Sequence, residues 1–133
     1  MMAAEDVFWE DLQEDLKDPE FVRSYVTHWV RIATTDAIVN ALDDAREGAG
    51  LSKAALARAI NADPSALRRL FAHGNRSNPT IGTVAELAAA LGMRLTLEPM
   101  PDEDREATTR PLLEGEVEDA RALVERLGAP ALV

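Results

Sequence analysis

Residues 51–91 read LSKAALARAINADPSALRRLFAHGNRSNPTIGTVAELAAAL, and this stretch determines the expected fold. Ser52 is a favourable N-cap before a short run of apolar residues at helical spacing. Asp63 and Pro64 supply an N-cap and a first-turn proline for a second helix. Asn61 lies between the two helices, and asparagine is one of the few residues that tolerate a left-handed backbone. The sequence therefore predicts two short helices joined by a tight turn.

The second of these helices is predicted to bury one face and to expose the other. Leu67 and Leu70 form its apolar stripe, and Ala57 is small where the first helix must come close. The predicted outward face consists of Ser65, Arg68, Arg69 and Ala72. A short helix with two arginines on its exposed face is a candidate binding surface.

The segments LSKAALA, ALRRLF and NPTIGTVAELAAALG resemble the Xre family of helix-turn-helix proteins, which includes phage repressors and Cro. The resemblance is closest to the HigA-like antitoxins, whose first helix is similar to the DPEF motif at residues 18–21. It implies an all-α fold, a compact helical bundle with a lambda-repressor-like helix-turn-helix. One short C-terminal strand and an acidic C-terminal extension complete the predicted architecture.

The same resemblance implies a set of DNA-binding residues. They are Ser52 and Lys53 at the first motif helix, Pro64, Ser65, Arg68 and Arg69 on the recognition helix, and Asn75, Arg76 and Asn78 beside the phosphate backbone. Arginine can donate two hydrogen bonds to guanine O6 and N7. We therefore expect Arg69 to contact a base, or Arg68 if the helix is rotated, and Arg76 to contact phosphate. Asp63 will oppose phosphate unless its carboxylate caps backbone N–H groups.

The net charge of −10 is distributed unevenly along the 133 residues. Residues 1–20 carry −7, residues 21–50 carry −1, residues 51–100 carry +3 and residues 101–133 carry −5. Because phosphate binding depends mainly on Lys and Arg, only the central stretch has the charge of a nucleic-acid binder. The acidic flanks are either solvated faces that keep the protein soluble or surfaces that meet a basic partner.

The residues before the motif are predicted to be helical. Residues 5–17 form an acidic amphipathic segment, and Asp18 and Pro19 mark the start of a second helix. Phe21 and Trp29 are expected to pack on the core. Residues 34–36 are either a new N-cap or a polar patch within one longer helix, which ends near residues 48–50.

Met93, Leu95 and Leu97 alternate with polar residues, which is the pattern of a β-strand. A single strand cannot pair its own backbone groups. We therefore predict that this segment pairs across a homodimer or onto a partner's sheet. The alternative is an irregular extended segment that lies on the core.

Residues 99–111 are expected to be an acidic linker without fixed structure, because they contain few apolar residues. An amphipathic helix is predicted from about residue 116 to residue 127, ended by Gly128. The predicted parts are an acidic N-terminal segment (1–18), the helix-turn-helix domain with its first helices and strand (19–98), and the linker with the C-terminal helix (99–133).

Other classes of function find little support in the composition. The chain has no cysteine, which fits a reducing cytoplasm, and its acidic N-terminus lacks the apolar run of a signal peptide or a membrane span. Its two histidines, His28 and His73, accompany no catalytic motif or phosphate-binding loop. No enzyme activity, metal or cofactor is therefore expected.

Two interpretations from different classes remain. The favoured one is a transcriptional regulator that binds a double-stranded DNA operator and is also the antitoxin of a type II toxin–antitoxin pair, with a basic RelE/HigB-like toxin as partner. The alternative is a protein-interaction module that kept the fold without DNA binding, and a stand-alone Xre-type repressor lies between the two. The basic central stretch favours DNA, and the acidic flanks favour a protein partner.

Overall fold

The computed structural model describes residues 4–72 and 78–127, apart from the side chain of Glu5, and the regular structure in those residues is helical throughout. This agrees with the predicted all-α class. The helices are α1 (Ala4–Asp15), α2 (Pro19–Gly48), α3 (Lys53–Ala59), α4 (Pro64–Leu70), α5 (Ile81–Ala90), α6 (Asp102–Asp104), a π-helix (Arg105–Thr109), α7 (Arg110–Glu114) and α8 (Ala120–Leu127). No helix in these described stretches has the length and apolar character needed to cross a bilayer.

Two compact units make up the chain. The terminal unit consists of residues 1–33 and 99–133, and the central unit consists of residues 34–98. Helix α2 contributes its first part to the terminal unit and its second part to the central unit. Residues 34–36 thus lie within one long helix, and no new cap forms there. The N-terminal and C-terminal segments, predicted as separate parts, belong to the same unit.

The central unit has an apolar core drawn from α2, α3, α4 and α5. Its buried residues are Leu42, Leu56, Ala57, Leu67, Leu70, Phe71, Val84, Leu87 and Ala88. Leu56 and Leu87 are fully buried, so α3 and α5 each place one large aliphatic side chain at the centre. This core holds the two short helices α3 and α4 in a fixed arrangement.

The terminal unit has a core of its own. Its buried residues are Leu12, Leu16, Val22, Tyr25, Val26 and Leu123, with Phe21 and Trp29 half-buried against them. This confirms the predicted packing of Phe21 and Trp29. Asp18 accepts a hydrogen bond of 3.0 Å from the Glu20 N–H, as expected for the residue before Pro19.

The prediction of an unstructured linker at residues 99–111 is wrong, because residues 102–114 are helical. Thr108 and Pro111 are buried there, and Arg110 forms ion pairs with Glu106, Glu114 and Glu118. The following helix begins at Ala120 and not near residue 116, because Asp119 accepts hydrogen bonds from the N–H groups of the next turn, at 3.0 and 3.3 Å.

The predicted strand is also absent. Residues 93–101 have no regular structure, and the described chain contains no strand with which they could pair. Met93, Leu95 and Leu97 are 41%, 45% and 98% exposed. Leu95 lines a cavity of about 170 Å³ with side chains from α2 and α5, so the segment is extended and partly laid on the central unit.

Candidate nucleic-acid interface

The first motif helix, α3, is fixed at its start by the predicted cap. The Ala55 N–H donates to Ser52 Oγ at 3.0 Å, and the Ser52 backbone is extended, as an N-cap requires. Lys53 is the first helical residue and is half-buried. The cap therefore places Lys53 in the first turn of α3.

The turn between α3 and α4 has the conformation expected from its sequence. Asn61 has a φ of +61°, in the left-handed region that asparagine tolerates. The Ala62 N–H then donates to the Ala57 carbonyl at 2.8 Å, and Ala57 itself is fully buried. A larger side chain at Ala57 would push the helices apart, so the small residue and the tight turn act together.

Helix α4 begins at Pro64, and Asp63 caps it. One carboxylate oxygen of Asp63 accepts a 2.9 Å hydrogen bond from the Ser65 N–H. This is the arrangement in which the acidic cap is partly neutralised by backbone N–H groups. The negative charge of Asp63 is therefore engaged in the fold at the start of the helix.

The two faces of α4 separate apolar from polar side chains. Leu67 and Leu70 are buried, and so is Phe71 at the C-cap. Residues 65, 68 and 69 lie on the opposite side at intervals of three and four, which is one helix face, and residue 72 follows the end of the helix. Arg68, Arg69 and Ala72 are exposed, and Ser65 is half-buried. The predicted outward face is thus present in the structure.

Both arginines of this face lie within one turn of Ser65. Arg68 donates from Nη2 to the Ser65 hydroxyl at 3.0 Å, one helical turn before it. That bond orients the Arg68 guanidinium along the helix, with its remaining N–H groups available as donors. Arg69 lies four residues after Ser65 and is exposed beside it.

The surface formed by α3 and α4 is locally basic. Residues 51–72 contain Lys53, Arg58, Arg68 and Arg69 against the single acid Asp63. Among the contacts within residues 4–72 and 78–127, Lys53 and Arg58 form no ion pair. Arg58 is exposed on α3 and was not among the sequence-predicted residues, although its position five residues after Lys53 is visible in the sequence. We add it to the candidate interface.

Arg46 contacts residues next to this surface, and it was not predicted from the sequence. Its side chain is only 12% exposed, pairs with Asp43 at 2.8 Å and donates to the Leu51 carbonyl at 2.8 Å. The guanidinium carbon lies 5.9 Å from the centre of the Phe71 ring, within cation–π range. Arg46 thus ties the end of α2 to the residue before the α3 cap and to the end of α4.

The remaining predicted residues follow α4. Asn75 and Arg76, and also His73, lie outside the described residues, so the predicted phosphate contacts of Asn75 and Arg76 stay predictions. Asn78 is exposed, close to the start of α5. Thr80 is the N-cap of that helix, and its hydroxyl accepts from the Thr83 N–H at 3.1 Å.

No group of three or more acidic or histidine side chains that could hold a metal ion occurs in the part of the chain that the structure describes. The candidate site presents cationic and hydroxyl side chains, which suit phosphate oxygens and base edges.

Residues 42–97 match the family model for the helix-turn-helix. The match starts within α2, includes α3, α4 and α5, and ends at Leu97. It covers less than half of the chain and supports the resemblance to Xre-like helix-turn-helix proteins, which are DNA-binding regulators. No curated protein and no solved structure matches the chain.

Proposed function

We propose that the protein is a sequence-specific DNA-binding regulator and the antitoxin of a type II toxin–antitoxin pair, which binds its own operator and neutralises a basic RelE/HigB-like toxin. The observation that carries the DNA part is the exposed face of α4, where Arg68, Arg69 and Ser65 lie opposite the buried leucines. A helix of this kind can lie in the major groove, where arginine distinguishes guanine from other bases.

In the proposed complex, the residues of the site divide into two roles. Arg69 contacts a base edge, or Arg68 does if the helix is rotated, and Pro64 and Ser65 belong to the first turn of the same helix. Ser52, Lys53, Arg58 and Asn78 approach the phosphate backbone, and Asn75 and Arg76 are expected there from the sequence. Phosphate contacts position the protein without reading sequence, whereas base contacts supply specificity.

We propose that the protein binds DNA as a homodimer. Proteins of this class bind two half-sites about one helical turn apart, so a two-fold symmetric protein fits a pseudo-palindromic operator. The apolar side chains of Met93, Leu95 and Leu97 are exposed in the single chain and follow the alternation of a strand. Pairing of this segment with its symmetry mate would bury those side chains and satisfy its backbone groups.

The toxin part of the proposal is supported by the distribution of charge between the units. The terminal unit contains seventeen acidic and seven basic residues, and the central unit contains seven of each. The whole net charge of −10 therefore belongs to the terminal unit. A basic partner would be attracted to the terminal unit, whereas the helix-turn-helix belongs to the central unit.

A stand-alone repressor is the second candidate, and one observation favours it. The terminal unit has its own apolar core, with Val22 and Val26 fully buried, so its fold does not depend on a partner to supply one. An accessory unit with a complete core is compatible with a regulator that acts alone.

Two experiments test the proposal. Selection of bound fragments from random DNA by the full-length chain should enrich a pseudo-palindrome, and enrichment of no sequence would contradict the DNA part. The reading frame next to this one should encode a small basic protein that forms a stable complex with the chain. A frame of another kind, or a basic neighbour that does not bind, would favour the stand-alone repressor.

A further inference from the structure

We propose that a cavity in the terminal unit is the docking point for a basic segment of a partner protein, which places one apolar side chain in the cavity and its Lys or Arg residues on the rim. The proposal rests on the proposed binding of a basic partner and names the surface that receives it. Three segments surround the cavity: the π-helix together with α7, residues 116–119, and α8.

The size and floor of the cavity suit a single apolar side chain. Its volume is about 210 Å³, and its apolar lining consists of Ala107, Pro111, Val117, Ala122 and Leu123. Since an apolar cavity of about 150 Å³ binds benzene, this one has room for an aromatic or large aliphatic side chain. Leu123 and Pro111 are buried, and Leu123 belongs to the core of the unit.

The rim carries an excess of negative charge. Five carboxylates line the cavity, from Glu103, Glu106, Glu116, Glu118 and Asp119, against the two guanidinium groups of Arg110 and Arg126. Arg110 pairs with Glu106 and Glu118 at 3.2 and 2.9 Å, and Arg126 pairs with Glu103 at 2.9 Å. Both arginines are held by carboxylates and Asp119 caps α8, and the five carboxylates exceed the two guanidinium groups, so the net negative charge of the rim would attract a cationic partner.

Three carboxylates act on the guanidinium of Arg110, and one of them, Glu114, lies outside the cavity lining. The hydrogen bonds of Arg110 to Glu114 and then Glu106 raise the pKa of its guanidinium above the ordinary arginine value, with further help from the charge of Glu118. A second cation near this rim would experience the same sign of potential. An anionic partner, such as nucleic acid, would be repelled.

A short synthetic peptide of lysines around one tryptophan is a suitable probe, and fluorescence anisotropy of the labelled peptide with the full-length chain measures its binding. Two variants alter the site: Ala122→Phe fills the cavity, and Glu116→Lys reverses one rim charge. Two matched variants alter exposed positions outside it: Ala37→Phe on α2 and Glu125→Lys on α8. Circular dichroism checks that all four variants fold.

We expect each site variant to raise the Kd of the peptide by about fivefold or more, and each control to change it by less than about twofold. A peptide of the same length with lysines only should bind more weakly than the tryptophan peptide. Equal Kd values for the two peptides, no effect of Ala122→Phe, or no binding of the tryptophan peptide would overturn the proposal. DNA binding by the wild-type chain is measured separately. Its absence would contradict the proposed role as a DNA-binding regulator, whereas the peptide titrations alone decide whether the cavity is a docking point.

Discussion

A Cβ atom placed at Gly115 would lie 2.7 Å from the Cβ atom of Pro19 and 3.2 Å from its Cα atom. Gly115 ends α7 with a left-handed φ of +73°, and Pro19 is the first residue of α2. The absence of a side chain at Gly115 thus serves two purposes, a left-handed helix end and close packing of α7 against the start of α2. This contact joins the C-terminal residues to the N-terminal residues of the terminal unit.

Gly115→Ala should destabilise the terminal unit by about 2–5 kcal/mol, because the strain of a left-handed alanine adds to overpacking against Pro19. Urea unfolding followed by tryptophan fluorescence measures this, since Trp9 and Trp29 both belong to the terminal unit.

Gly92→Ala is the matched control for this prediction. Gly92 has a similar φ of +76°, but no atom lies within 4 Å of a Cβ placed there. Its substitution should cost only the left-handed strain, about 1–2 kcal/mol, as measured by far-UV circular dichroism. Equal losses for the two variants would show that the contact with Pro19 has no energetic effect.

Arg23 reinforces the same end of α7. It donates from Nε to the Leu112 carbonyl at 3.0 Å and from Nη2 to the Leu113 carbonyl at 3.2 Å, where the helix has no further N–H donors of its own. Arg23→Ala should therefore lower the free energy of unfolding of the terminal unit by about 1–2 kcal/mol. Arg31→Ala, an exposed change on the same helix, should have an effect within about 0.5 kcal/mol, and a loss as large as that of Arg23→Ala would refute the capping role.

The parts of the site that the sequence predicted correctly depend on local chemistry. Ser52 and Asp63 cap the N–H groups two or three residues ahead of them, and Asn61 adopts its unusual backbone within one turn. Residue type at such positions is nearly sufficient to predict the structure, because the interacting atoms are close in sequence. The outward face of α4 followed from helical spacing for the same reason.

The parts that the sequence missed depend on contacts between distant residues. Residues 102–114 have few apolar side chains, yet they fold because Arg23 holds their carbonyls and Gly115 packs on Pro19. The amino-acid composition of the segment does not reveal either contact. Residues 93–97 have the alternating pattern of a strand, but this pattern shows only which side chains share a face. It does not provide a second strand that could bind the backbone N–H and C=O groups.

Asp63→Asn should distinguish the effect of the Asp63 hydrogen bond on stability from the effect of the Asp63 charge on DNA binding. Asparagine keeps the side-chain oxygen that accepts from the Ser65 N–H, so stability should change by less than about 0.5 kcal/mol. Removal of the negative charge next to the recognition helix should strengthen DNA binding, more at low salt than at high salt. Asp63→Ala loses the cap as well and should cost about 1 kcal/mol. Weaker DNA binding by Asp63→Asn at low salt would contradict the placement of α4 against DNA.

Arg69 is proposed to read bases, and Lys53 is proposed to contact phosphate. Arg69 is exposed on the outward face of α4, and Lys53 begins α3 without an ion pair in the described parts of the chain. Arg69→Ala should cost about 1–3 kcal/mol on the selected operator and relax the preference at one base pair. Lys53→Ala should weaken binding to all sequences alike and reduce the salt slope by about one.

Titrations on operator and scrambled DNA at two salt concentrations distinguish these effects, and Arg31→Ala in the terminal unit serves as a control for the loss of one positive charge. If Arg69 reads the base, Arg69→Ala should change the ratio of operator to scrambled affinity more than Arg68→Ala does. The opposite order would mean that the helix is rotated in the groove. An unchanged ratio for both variants would exclude base reading by this face, because removal of a bidentate arginine–guanine pair weakens the operator complex and has no counterpart on scrambled DNA.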